Sequence, residues 1–295
     1  MLPIRHIALP LLDAFLSSHL SPCTRKEYAR DIRDWLAHTD VIPIERITVM
    51  HLTAYREGMV KRGLSPGTIN RHISTIRSYF RFLRQHGVID RDPSEFLKRY
   101  RGESYRPTPS FSECEAMRIL DRAKDAPQSG ALHSAMLHVL FYLGLRCSEV
   151  CSLTIDSLGS SDGVSTLSVT GKGNKTRIIP ITGPVFDSIQ AYLHTREVNA
   201  CTSPLFQNQK GNRLSRSAIT SMLKAACIRA EVEPRGVHSC RVTCITNALE
   251  NGASTIQAQW LGGWATMQMV LRYDRSRQVL KNSAAYAVNY KRSQK

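Results

Sequence analysis

The sequence predicts a mainly α protein with one small β-sheet, organised as an N-terminal helical bundle followed by an α+β domain. Three observations carry this expectation. Apolar residues recur at helical spacing through residues 1–100 and again beyond residue 111. Only one stretch, Val164–Ile181, combines strand-like runs with a hairpin turn. Between the two parts, residues 101–110 are polar, contain Pro107 and Pro109, and have no periodicity, which is the pattern of a linker. A chain of 295 residues has room for two domains, each with its own core.

In chain order, a first helix is expected over Leu9–His19, a second over Thr24–Ala37 and a third over Thr48–Arg62, closed by Gly63. The fourth has the strongest local signals. Ser65 can cap it and Pro66 suits its first position. Ile69, Ile73, Ile76, Phe80 and Leu83 then form an apolar stripe that ends at Gly87. Off this stripe lie Arg71, His72, Arg77, Arg81 and Arg84, with no acidic residue from Ser65 to Gly87. A basic face opposite an apolar one suits a helix laid on nucleic acid, and these five are candidate DNA contacts; a solvated surface helix is the alternative. The second domain begins near Phe111, where Ser112 and Glu115 form a capping box. The apolar run Ala135–Leu145 should be its most buried helix. Strands are expected at Val164–Val169 and Thr176–Ile181, joined by a turn carrying Lys172 and Lys175. Further helices are expected at Pro184–Arg196, Ser217–Arg229, His238–Glu250, Thr255–Leu261 and Thr266–Tyr273. An apolar tail, Val279–Tyr290, ends the chain.

The formal charge is +16. Residues 1–100 hold 16 basic against 10 acidic residues, which leaves +6; the remainder holds 24 against 14, which leaves +10. A basic excess shared by both parts points to a polyanion gripped by both, as in a clamp around duplex DNA. The early run Leu9–Leu12 is broken by Asp13 and lacks a cleavage site, so no signal peptide is expected. No apolar stretch approaches the ~20 residues that span a membrane. The expected compartment is the cytoplasm, where the cysteines stay reduced. Cys147 with Cys151, and Cys240 with Cys244, are spaced four apart and could supply four thiolates to zinc. Their apolar helical contexts favour small core residues instead, and no metal is expected.

Six side chains in the second domain suit phosphoryl transfer, whose transition state spreads negative charge over non-bridging oxygens. Arg146 follows an apolar helix, and a guanidinium there can bind phosphate bidentately, with Glu149 as its orienting partner; a structural ion pair is the alternative. His238 and Arg241 share one helical face, where an imidazole and a cation can grip a phosphate and move a proton, or form a plain surface pair. Lys172, on a Gly-flanked turn, can protonate a leaving oxygen. For Lys172 and for Lys175 beside it, ordinary turn solvation or plain contact with the DNA backbone is the alternative. Trp264 offers one N–H donor. Tyr273 can form a phosphoester, although nothing local distinguishes it from the other tyrosines.

The segments LGLRCSEV, TGKGNKTR, HSCR and LGGWATMQMVLRY, in this order, resemble the motif boxes of the tyrosine site-specific recombinases, the phage-integrase family of Cre and Xer type. The resemblance extends over nearly the whole chain. It implies a C-shaped clamp with a SAM-like core-binding domain at 1–100, a linker at 101–110 and a catalytic domain at 111–295. It implies Tyr273 as nucleophile, Lys172 as general acid, and Arg146, His238, Arg241 and Trp264 as phosphate ligands, with Glu149 in support. Many members carry histidine where this chain has Trp264, which makes His238 the only histidine expected at the site. The implied reaction passes through a 3′-phosphotyrosyl link and a Holliday junction, with no cofactor. The implied partners are double-stranded DNA bearing inverted repeats and a homotetramer, or a tetramer shared with a partner recombinase, on two duplexes at the nucleoid. A DNA-binding protein without the chemistry, and a type IB topoisomerase or telomere resolvase, are the competing readings. Phage integration, transposition, cassette exchange and chromosome resolution all stay open.

Overall fold

The computed structural model describes residues 4–18, 21–39, 42–102, 108–171, 173–181, 183–197 and 200–271. The tail Val279–Tyr290, and with it Lys172 and Tyr273, lie outside the described residues. The chain divides into two compact units, Met1–Arg106 and Pro107–Lys295.

The first unit is helical: α1 (Ile4–Ser17), α2 (Pro22–Thr39), α3 (Val49–Lys61) and α4 (Pro66–Gln85). The Ser65 hydroxyl caps α4 by accepting from the Thr68 N–H at 3.2 Å, and Pro66 opens the helix. The expected stripe of α4, from Ile69 to Leu83, is fully buried and meets Leu12, Trp35, Leu52 and Met59 from the other three helices. α1 begins five residues before its expected start at Leu9.

The basic face expected on α4 is only partly one. His72 is buried and lies between Asp31, whose Oδ1 is 3.2 Å from Nε2, and the Tyr55 hydroxyl, 2.9 Å from Nδ1. Arg71 is ion-paired to the fully buried Asp31 and to Glu27, so both residues belong to the α2–α4 packing. Arg77 is half-buried, and its guanidinium donates to the Leu97 carbonyl. His72 is corrected from a DNA contact to a structural group, and Arg71 and Arg77, still partly exposed, are engaged by protein partners. Their balancing carboxylates and carbonyl come from outside the segment 65–87, where a reading of that segment alone cannot see them. Arg81 and Arg84 are exposed.

The second unit has α5 (Glu113–Asp121), α6 (Gly130–Leu143), α7 (Cys147–Ser152), strands β1 (Leu158–Ser161), β2 (Val164–Thr170) and β3 (Thr176–Pro180), then α8 (Gly183–Leu193), α9 (Arg216–Arg229), α10 (Val237–Glu250), α11 (Thr255–Gly262) and α12 (Met267–Val270). The Ser112–Glu115 box closes in both directions, at 2.7 and 3.2 Å. α6 runs through the core and packs on α8 and α10. The sheet is antiparallel in the order β1-β2-β3. β1 was not expected: Leu-Gly-Ser-Ser has low strand propensity, but Asp162 and Gly163, both at positive φ, make the tight turn that returns the chain into β2. Cys227, Cys240 and Cys244 are buried, and Cys147 and Cys151 are half-buried at the edge of the core.

Candidate active site

The end of α6 sets the first part of the site. Gly144 takes the left-handed conformation (φ 57°) that stops the helix, Leu145 is buried, and Arg146 becomes the N-cap of α7. Glu149, on the first turn of α7, accepts from the Arg146 backbone N–H at 2.9 Å and from its Nη1 at 2.7 Å. The Glu149 side chain is only 3% exposed, while that of Arg146 is 34% exposed. Burial pushes the Glu149 carboxyl upward, but hydrogen bonds from Arg177 and Arg146 outweigh it and hold the group below its usual range. The pair is therefore ionised, with the guanidinium kept at the surface.

α10 contributes His238 and Arg241 from its N-terminal turns. Arg241 is buried, with Nη1 donating to the Gly144 carbonyl at 2.7 Å and Nη2 donating to the Gly262 carbonyl. One guanidinium thus ties the end of α6 to the end of α11. The Trp264 ring stacks over it, with the centroid 4.4 Å from Cζ. His238 reaches solvent from the first turn of α10. Partial burial, then the charges of Arg241 and Arg146, hold its imidazole below the usual histidine range. It therefore stands neutral at pH 7 and can accept a proton.

The paired glycines before Trp264 have separate causes. A β-carbon at Gly262 would lie 2.3 Å from the indole, which folds back over it. Gly263 is left-handed (φ 58°), and a β-carbon there would lie 2.9 Å from Arg177 Nη1. α11 itself starts at a capping box of Ser254 with Gln257.

The β2–β3 turn closes through the Gly171 N–H donating to the Lys175 carbonyl at 2.9 Å, with Gly173 and Asn174 at positive φ. Lys175 is exposed. A groove of about 1330 Å³ is lined by Arg146, Gly171, Gly173, Lys175, Arg177 and Trp264, together with apolar residues of β3 and α11. Among the described residues, Arg146, Glu149, His238, Arg241 and Trp264 are brought together, and the residues flanking Lys172 meet them at the groove. Arg177 was missed by the sequence reading. Its signal was its place on β3 two residues past the turn, where strand alternation puts it on the half-buried side.

This arrangement presents Arg146 and a neutral imidazole at the surface, backed by the buried Glu149 and Arg241, which suits an anionic phosphodiester. The phage integrase family model matches residues 110–279, and the model of the phage integrase N-terminal SAM-like domain matches residues 12–87. Tyrosine recombinase XerC of Pelobacter propionicus is 30% identical over 263 residues, covering 86% of this chain and 85% of the relative. Tyrosine recombinase XerD of Oceanobacillus iheyensis is 29% identical over 264 residues, covering 86% and 88%. The fold is similar to that of the Tn1549 transposon integrase, solved with circular intermediate DNA, at a TM-score of 0.76 and 18% identity over 98% of this chain and 100% of that one. It is likewise similar to lambda integrase bound to a core site, at a TM-score of 0.74 and 18% identity over 94% and 97%. The chain belongs to the phage integrase family. Its activity is that of a tyrosine recombinase, site-specific DNA recombination through tyrosine-mediated strand cleavage.

Proposed function

We propose that the groove binds the scissile phosphate of duplex DNA and that Tyr273 attacks it. The Tyr273 oxygen forms a bond to phosphorus, the bond from phosphorus to the 5′-oxygen breaks, and Lys172 gives its proton to that oxygen. The products are a 3′-phosphotyrosyl link and a free 5′-hydroxyl. Arg146, Arg241, His238 and Trp264 hold the non-bridging oxygens, and Glu149 orients Arg146. The 5′-hydroxyl of the partner strand then attacks the phosphotyrosine and releases Tyr273. One phosphoester replaces another at each step, so the bond energy is conserved and no ATP is consumed. The observation that carries the reading is that Arg146 and Trp264 line one groove with the glycines flanking Lys172, Glu149 bonding Arg146 and Arg241 stacking on Trp264 behind them.

In this proposal residues 1–100 are a core-binding domain, 101–110 a linker and 111–295 the catalytic domain. Arg81, Arg84 and Lys175, all exposed, contact the DNA backbone. The substrate is duplex DNA with inverted repeats, exchanged between two duplexes through a Holliday junction by a homotetramer or a tetramer shared with a partner recombinase. No helix among the described residues is long and apolar enough to cross a membrane. In this proposal the protein works in the cytoplasm at the nucleoid.

The test is a nicked duplex carrying the repeat that the protein selects from a random-sequence pool. The wild-type protein should form a covalent adduct that survives denaturation and is digested to a phosphotyrosyl peptide. Tyr273→Phe should bind the same duplex and give no adduct. Failure of the wild-type protein to form any adduct overturns the reading.

A further inference from the structure

Beneath the groove lies one guanidinium that the reaction as proposed does not use. Arg177 projects from β3 and forks onto Glu149, with Nη2 to Oε2 at 2.9 Å and Nη1 to Oε1 at 3.1 Å. Its Nε donates to the Leu261 carbonyl, 3.3 Å away at the end of α11. The side chain is 16% exposed, and all three of its nitrogens are engaged by Glu149 and Leu261.

Three segments of the site rest on this one group. The first is Arg146, whose partner Glu149 it shares. The second is the root of the β2–β3 turn: a β-carbon on Gly171 would lie 3.2 Å from Glu149 Oε1 and 3.5 Å from Arg177 Nη1, so the backbone next to Lys172 packs directly on the ion pair. The third is the segment entering Trp264, because Gly263 lies against the same Nη1 and the neighbouring Gly262 carbonyl holds Arg241.

We infer that Arg177 is a positioning residue for strand cleavage: it fixes Glu149, and through it Arg146, under the turn that carries Lys172 and against the end of α11. This rests on the reading of the groove as the cleavage site. The physical reason is the burial of Glu149. A carboxylate this enclosed is held by charged, hydrogen-bonded partners on both sides. With Arg177 in place, Arg146 supplies one guanidinium nitrogen to Glu149 and presents the rest of its fork at the groove. Without it, Arg146 is the only cation left to Glu149 among the described residues, and the turn and the end of α11 lose their common support.

The experiment compares full-length wild type, Arg177→Met, Arg177→Lys, Glu149→Gln and the Arg177→Met/Glu149→Gln double variant. Single-turnover adduct formation and duplex affinity are measured on the nicked duplex described above, below each variant's melting temperature. Arg177→Met should form adduct about 100-fold more slowly, the scale of an ångström-level misplacement, with unchanged affinity. Arg177→Lys should recover part of the rate, since it keeps the charge but not the fork. The double variant should be no slower than the slower single variant, because the two residues act as a unit. A wild-type rate for Arg177→Met overturns the inference, as does a double variant whose loss is the product of the single losses. A rate loss that only follows the unfolded fraction also overturns it. Should Arg177→Met not fold, Arg177→Lys decides: a slowed rate at unchanged affinity supports the role and a wild-type rate overturns it. Absence of adduct from the wild-type protein rejects the cleavage site itself, a different outcome from a normal wild-type rate that Arg177 variants share.

Discussion

Arg71 and Arg84 are both arginines of α4, and their surroundings give them different work. Arg71 compensates Asp31, a fully buried carboxylate that also meets Thr75 and His72. Arg84 is exposed. Arg71→Ala should therefore cost roughly 3 kcal/mol of stability, since removing one partner strands a buried charge. Arg84→Ala should leave the urea midpoint unchanged and weaken duplex binding. Urea titration and duplex-binding titration of the full-length variants check both. An Arg71→Ala protein of wild-type stability but reduced affinity would restore Arg71 to the DNA-contact list. The misreading has a simple source. Spacing along one helix shows which face a residue occupies, but whether that face meets water or another helix depends on Asp31, forty positions upstream. The same blindness hid Arg177, whose partner Glu149 lies on a different element. Arg146, Glu149, His238 and Arg241 were legible because their local contexts, in order, match a motif set.

At the scale of elements, legibility followed the strength of local chemistry. α4 and the β2–β3 hairpin carry an N-cap, a proline, a stripe and a glycine turn, and they form within one or two residues of expectation. β1 has almost no propensity of its own and exists because β2 offers it a partner. The loop between α11 and α12 shows how an element end becomes part of the site. Gly263 is both the left-handed stop of α11 and the surface on which Arg177 rests. Gly263→Ala should lose about 1–2 kcal/mol from the left-handed strain and also slow adduct formation by displacing Arg177. Gly63 is a useful control, since it too is left-handed (φ 73°) but has open space around it. Gly63→Ala should lose stability alone. Equal adduct rates in the two variants would show that Gly263 matters only as a helix stop.

For the whole molecule, the relevant quantity is charge. The net +16 is far more than the site needs, and it is divided between residues 1–100 and 101–295 as +6 and +10. Such an excess acts through the counterions of the nucleic acid: each phosphate neutralised by a lysine or arginine contributes about −0.9 to the slope of log affinity against log salt. Duplex affinity should therefore fall steeply between low and moderate salt. If Arg81 and Arg84 each meet one phosphate, as proposed, Arg81→Ala and Arg84→Ala should each make that slope shallower by about one. Tyr273→Phe should leave the slope as it is, since it removes the bond to phosphorus and no cation. Arg177→Met should leave it unchanged too, because its guanidinium is committed to Glu149 and Leu261 and not to DNA. Salt titrations of duplex binding on these four proteins separate the residues that hold the polyanion from those that organise the chemistry. A slope that changed with Arg177 and not with Arg84 would reverse that assignment.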